Sequence, residues 1–258
     1  MDAFYDALTP GVFQANQPTV GPWSPALQHG GPPAALLAHE LEALGGPVGS
    51  RLAKVSFDFF GPVPVAQLSI ETEVLRAGAR IQLSTATMKA DGRTVMRATA
   101  WRLLAEPGRS PATPSTIVVP ERPPHATEAR FPGVGRFPYG DAIEWRFVEG
   151  SFEAVGAGTV WTRCRIPLVG GQAITGLERL LVMVDAANGI SAVLPITAWT
   201  FVPVDLTVAV HRLPVSDWIG MSAQTTLDRD GIGLTDTQIF DERGALGRAL
   251  QTLYVAPR

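Results

Sequence analysis

The sequence predicts an α+β protein in which one unit, a helix followed by an antiparallel meander, occurs twice. Three observations predict it. An apolar helical pattern at 32–44 is followed by strand patterns from 51 to 104. The same order of elements returns after residue 177. Between the two lies a proline-dense stretch, 106–140, with little periodicity. A helix followed by paired strands is the α+β signature, and a period this long marks a duplicated domain rather than a solenoid.

In chain order, Gly11 to Trp23 reads as a short strand pair around a polar turn. Pro32 and Pro33 then sit in a first helical turn, where a missing N–H costs nothing. Ala34, Leu37, Leu41 and Leu44 recur at helical spacing, and Gly45-Gly46 stops the helix. Strands follow over 51–60 and 65–77, the second alternating Leu68, Ile70, Thr72 and Val74 against Ser69, Glu71 and Glu73. Residues 80–104 form a hairpin around Asp91-Gly92. The stretch 106–140 reads as an ordered linker, because Ile117, Val118, Val119, Phe131 and Phe137 do not suit free solvent.

Beyond the linker, AIEWRFVEG and GTVWTRCRIP carry strand patterns, and a helix is predicted over 177–189. Thr197 to Arg212 reads as one strand around which the second half is organised, followed by a strand at 216–227 and a hairpin at 231–255. The two hairpins match closely. Ile81-Gln82-Leu83-Ser84 falls on Ile232-Gly233-Leu234-Thr235, an offset of 151, and Arg97-Ala98 falls on Arg248-Ala249. The units are set at 1–105 and 141–258. Each is a long helix wrapped by an antiparallel sheet, the hot-dog arrangement, so the whole is a double hot dog. Open sheet edges and a broad face predict a homodimer or larger assembly.

Composition excludes several classes of function. The chain of 258 residues is 46% hydrophobic and 17% charged, with net charge −3 and its basic residues scattered. Disorder and a nucleic-acid-binding surface are therefore not expected. The single cysteine, Cys164, sits in a strand pattern and reads as structural; with four dispersed histidines it makes no metal-ligand spacing. No metal or cofactor is expected. The first residues lack the basic and apolar regions of a leader, and no run is long enough to span a bilayer, so a cytoplasmic protein is expected.

The motifs then point to a family. The strand ending Phe57-Asp58-Phe59-Phe60-Gly61-Pro62, the stretch Glu71-Thr72 to Leu75-Arg76 with Gly78, and the series Asp205, His211-Arg212, Trp218, Ser222, Thr226 and Gln251 resemble the acyl-CoA thioesterase II family. The resemblance implies hydrolysis of an acyl-CoA thioester by a water held between Asp, Thr and Gln. Carried onto this chain, those residues are Asp205, Thr226 and Gln251, with Thr225 as a competitor one residue away. A carboxylate can take the water's proton while a hydroxyl and an amide fix its direction. Gly30-Gly31 at the helix start is the candidate oxyanion site, although Pro32 stands where the family commonly has Gln.

Other readings stay open. Asp205 can equally be read as a solvated residue on the wet face of its strand. Asp185, within the second helix, is a rival carboxylate, or a helix residue bonded to Asn188. His29 lines the pocket or caps the helix. A hot-dog hydratase would need a His paired with a carboxylate, and a non-catalytic acyl-binding module would need neither.

Overall fold

The computed structural model describes residues 3–115, 117–131 and 133–258. Met1 and Asp2 of the N-terminal reading, and Thr116 and Pro132 of the linker, lie outside the described residues. Apart from a two-stranded pair, β7 (Arg130–Phe131) with β8 (Gly135–Arg136), every strand belongs to one antiparallel sheet of thirteen. The first half supplies β1 (Tyr5–Thr9), β2 (Val12–Ala15), β3 (Ser50–Phe59), β4 (Gln67–Arg76), β5 (Ile81–Ala90) and β6 (Arg93–Leu104). The second supplies β9 (Ile143–Glu149), β10 (Gly158–Cys164), β11 (Trp199–Pro203), β12 (Asp205–Val210), β13 (Ile219–Leu227), β14 (Ile232–Asp241) and β15 (Gly244–Pro257).

The strand order is β1-β2-β4-β5-β6-β3-β12-β15-β14-β13-β10-β9, with β11 pairing β15 off this path. It is palindromic about the β3–β12 seam, where Asp58 to Lys54 pair antiparallel with Asp205 to Ala209. Matching strands of the two halves thus occupy matching places. The early strand pair is 5–9 with 12–15 rather than 11–23, because the chain reverses at Pro10-Gly11, where Gly11 takes φ +71°.

Two antiparallel helices lie on the sheet. α1 (Gly31–Ala43) packs against α3 (Gly176–Val184); short α2 (Pro138–Asp141) and α4 (Ala187–Ile190) are the other α-helices among the described residues. The second helix is not continuous over 177–189. A tighter turn at its end, Ala186 N–H to the Met183 carbonyl at 3.1 Å, interrupts it at Asp185. The break leaves carbonyls free of helical partners, and other elements take them. Tyr139 donates its hydroxyl to the Val182 carbonyl at 2.8 Å, and Gln251 donates to that of Asp185 at 3.1 Å. At the far end, Arg102 and Gln82 donate to the Leu41 and Gly45 carbonyls that close α1.

Close approach of the helices depends on glycine. A Cβ at Gly31 would overlap the Val182 carbonyl oxygen, and one at Gly30 would stand 2.7 Å from Asp185 Oδ2. Leu36, Leu37, Val182 and Leu206 are fully buried between helices and sheet.

The stretch 106–140 is a strap. Ile117 and Val119 pack on Trp161, Trp218 and Phe240 across the outer face, while Val118 between them is 91% exposed. An extended chain turns alternate side chains outward, so only two of those three valine and isoleucine positions are covered. Phe131 and Phe137 then enter the main core.

Candidate active site

The expected strand at 197–212 breaks at Val204 into β11 and β12. Pro203 pairs with Leu253 and Thr207 with Leu250, so β12 carries one residue more than β15 across this gap. This is a bulge, and Asp205 sits in it. Its Oδ1 accepts the Thr252 backbone N–H at 2.7 Å, substituting for a ladder carbonyl. Asp205 shares the outer face with Thr207 and exposed Ala209, while Leu206, Val208 and Val210 point inward.

Gln251 lies on the other face of the sheet and is 1% exposed. The trio expected from the resemblance therefore does not assemble. Asp205 and Gln251 are separated by the sheet, and Thr226 is also exposed. The inward residue of that strand is Thr225, because neighbouring positions face opposite ways. The Thr225 hydroxyl lies 2.8 Å from both Ser191 Oγ and Thr235 Oγ1. Ser191 donates to the Ala187 carbonyl, so the hydroxyl chain is directed: Thr235 donates to Thr225, and Thr225 to Ser191. Thr235 is in turn the cross-strand partner of Gln251.

The carboxyl that meets Gln251 is Asp185. Gln251 Nε2 donates to Asp185 Oδ1 at 3.1 Å while also holding its backbone carbonyl, which fixes the amide's orientation. Asn188, expected beside Asp185 from spacing along the helix, donates instead to the Phe201 carbonyl. Asp185 Oδ2 lies 3.2 Å from His29 Nδ1, and the Gly30 N–H also donates to this carboxyl. Asp185, His29 and the Gly30–Gly31 turn thus converge, although the helix break that brings them together has no signature in the sequence.

Burial sets the electrostatics. Desolvation raises the Asp185 carboxyl to about 7, with the Gln251 and Gly30 hydrogen bonds opposing it. Desolvation lowers His29 to about 3, so the ring is neutral near pH 7. His29 stacks on Tyr139 with ring centroids 3.8 Å apart, and its Nδ1 accepts the Gly31 N–H at 3.2 Å. Nδ1 therefore carries no proton to give Asp185 Oδ2, and a proton on the carboxyl has to share that one lone pair with the Gly31 N–H. The Gly30 and Gly31 N–H groups expected for an oxyanion are both engaged inside the protein, the first by the Asp185 carboxyl and the second by His29 Nδ1.

His29, Gly30 and Asp185 open onto a cavity of about 650 Å³, within the usual range for small-molecule sites. No group of three or more His, Cys, Asp or Glu arranged to hold a metal occurs among the described residues. Nor, among them, is any helix long and apolar enough to cross a membrane. Cys164 does not line this cavity, and desolvation pushes its thiol up to about 12, so it stays protonated near pH 7. His211 and His125 are exposed.

Solved structures share this architecture. A hot-dog-fold protein of Alicyclobacillus acidocaldarius superposes with a TM-score of 0.76 at 21% identity, over 100% of this chain and 97% of that one. A tesB protein of Mycobacterium avium subsp. paratuberculosis gives 0.70 at 17%, over 98% and 96%. An acyl-CoA thioesterase II of Mycobacterium marinum gives 0.68 at 16%, over 98% and 94%. No curated protein matches the chain. The fold is thus a hot-dog fold. Residues 19–103 match the family model of the acyl-CoA thioesterase N-terminal domain, and residues 118–255 match that of the C-terminal domain. The chain belongs to the acyl-CoA thioesterase family.

Proposed function

We propose that this protein hydrolyses acyl-CoA thioesters with Asp185 as the base that activates water. One observation carries the reading: a buried carboxyl with its pKa near 7, steered by Gln251, faces a largely apolar cavity. A base poised near the working pH takes a proton from water and can return it within one cycle. The water oxygen attacks the thioester carbonyl carbon as its proton passes to Asp185. The tetrahedral intermediate then collapses, the C–S bond breaks, and the sulfur leaves with a proton from Asp185. The products are a carboxylic acid and the free thiol. The N-terminus of α1 points its positive dipole end at this place, a favourable field for the oxyanion.

The test is thiol release from acyl-CoAs by the wild type, Asp185→Asn and Asp205→Asn. Activity lost in the first and kept in the second is expected; the reverse sinks this assignment. A second reading has its own observation, the His29–Asp185 contact, which is the pair a hydratase would need. Water addition to an enoyl-CoA without thiol release would favour it. Neither reading invokes a cofactor.

The palindromic strand order supports reading residues 1–105 and 141–258 as tandem hot-dog repeats. A homodimer or larger assembly fits the outer sheet face, where Leu234, Leu250 and Tyr254 are exposed. A light-scattering mass near 27.5 kDa would rule that assembly out.

A further inference from the structure

The cavity beside Asp185 is rich in rings. Among the described residues, eight of the 26 in its wall are Phe, Trp or Tyr, against 8% of the chain. The rings form a connected series rather than a scatter. It starts at His29, in contact with Asp185, and passes to stacked Tyr139. Tyr139 meets Trp145 at 6.3 Å and 66°, and Trp145 meets Phe152 edge-on at 5.0 Å and 80°. Phe131 closes on Phe152 at 5.0 Å. A separate pair, Trp23 and Phe201, meets at 5.8 Å and 79°.

Resting on the thioesterase reading, we propose that the acyl group bound here is a compact aromatic one, its ring one or two bonds from the thioester carbonyl. The position follows from the series itself, because the carbonyl must stand beside Asp185 and the aromatic wall begins one contact away. The preference follows from ring chemistry. An aromatic ligand adds edge-to-face and offset contacts to walls already set at those angles, each worth about 0.5–1.5 kcal/mol beyond burial. A long polymethylene chain gains no such term and loses rotamer freedom at every bond it fixes. Interlocked rings also adapt poorly to a flexible chain, since each is held by the next. Five of the eight rings come from residues 131–152, so the segment that enters the second half also builds the wall.

The experiment has two independent arms. Hydrolysis by the wild type is compared for phenylacetyl-CoA, benzoyl-CoA, octanoyl-CoA and palmitoyl-CoA. Binding is measured by tryptophan fluorescence on Asp185→Asn, using ketone analogues in which a methylene separates carbonyl and sulfur, with phenylacetyl and palmitoyl groups. The expected result is that aryl groups lead palmitoyl roughly tenfold or more in kcat/KM and in affinity, the worth of one or two ring contacts. Phe152→Leu, checked by thermal melt, narrows that ratio. If the analogues show the aryl preference but no thioester is cleaved, the hydrolase reading fails and the ligand class stands. If palmitoyl-CoA is cleaved as well as the aryl compounds, the ligand class is overturned while hydrolysis stands; if only its analogue is bound as well, the ligand class is overturned and cleavage alone decides hydrolysis. Should Phe152→Leu not fold, the wild-type comparison decides alone.

Discussion

Two histidines meet carboxyls across the same pair of antiparallel helices, and their chemistry runs in opposite directions. At one end His29 faces Asp185 at 3.2 Å; at the other His39 faces Glu178 at 2.7 Å. His29 is lowered to about 3 by desolvation, whereas the hydrogen bond to Glu178 raises His39 above its ordinary value. The two pairs are covered almost alike, with side chains 13% and 5% exposed at the first and 19% and 4% at the second. They differ in their company: Glu40 and Glu42 also favour charge on His39, and Glu178 is supported twice over in the first turn of α3. There it accepts the Thr175 N–H at 2.7 Å while the Thr175 hydroxyl caps the Glu178 N–H. Asp185 instead lies at the negative end of α3, in an apolar cavity, supported by the Gln251 amide and the Gly30 N–H. Like partners on the same helices give a salt bridge where a direct hydrogen bond and neighbouring carboxylates favour charge on the ring, and a neutral histidine where desolvation is not offset. The charged pair ties the helices together; the neutral pair keeps a proton near pH 7 available for chemistry.

Removing the Asp185 carboxylate should have the greatest consequence. Asp185→Asn should lower kcat by about 10²–10⁴, the usual worth of a positioned base. Asp205→Asn retains an oxygen for the Thr252 N–H and should change kcat less than about twofold. Asp185→Asn also tests the electrostatics through stability. The Asp185 pKa is raised on folding, from 3.8 to about 7, so its favourable contribution is present below pH 3.8 and is lost as pH rises to about 7. Asp185→Asn should therefore gain in melting temperature on the wild type over that window. A gap that is flat with pH would show that the site is wetter than its burial implies.

Gly31→Ala comes next, because its Cβ would overlap the Val182 carbonyl oxygen. A loss of about 2–3 kcal/mol in urea denaturation is expected for such overpacking. Smaller still, Gln251→Ala should cost roughly tenfold to a hundredfold in kcat, as an orienting contact does. It also removes a hydrogen bond that lowers the Asp185 pKa, so the acid limb of the pH–rate profile should move to higher pH. An unmoved limb would mean that Asp185 is not the titrating base.

The His39–Glu178 pair should act on stability alone. With His39 raised above 6.5, its contribution is complete below pH 6.5 and fades as pH climbs through the raised value. The melting-temperature advantage of the wild type over His39→Gln should thus shrink as pH rises above 6.5, with kcat unchanged. Least change of all should come from Thr226→Val, which lies on the outer face, whereas Thr225→Val breaks the chain from Thr235 to Ser191. Equal turnover losses in both would contradict the strand's facing.

Elements that depend on local pattern were legible without any structure. Helical spacing set α1 to within a residue, Asp91-Gly92 set the β5–β6 turn, with φ of 48° and 73°, and the matched hairpins set β14 and β15 opposite β5 and β6. Gln251 was singled out by the family's order along the chain, Gly30 and Gly31 as a glycine-rich helix start, and His29 by its place before them; the structure brings all four to Asp185. Which carboxyl joins them is a matter of tertiary packing. A strand pattern tells which residues share a face but not whether a bulge slips the register by one, and at Val204 it does. A helical pattern likewise reads smoothly through Asp185, where the turn tightens, because the groups that take the freed carbonyls, Tyr139 and Gln251, lie 43 and 66 residues from their acceptors. Proton affinity was the least legible of all. It is set by how much water reaches a carboxyl, and that is fixed only once two helices and a sheet have closed around it.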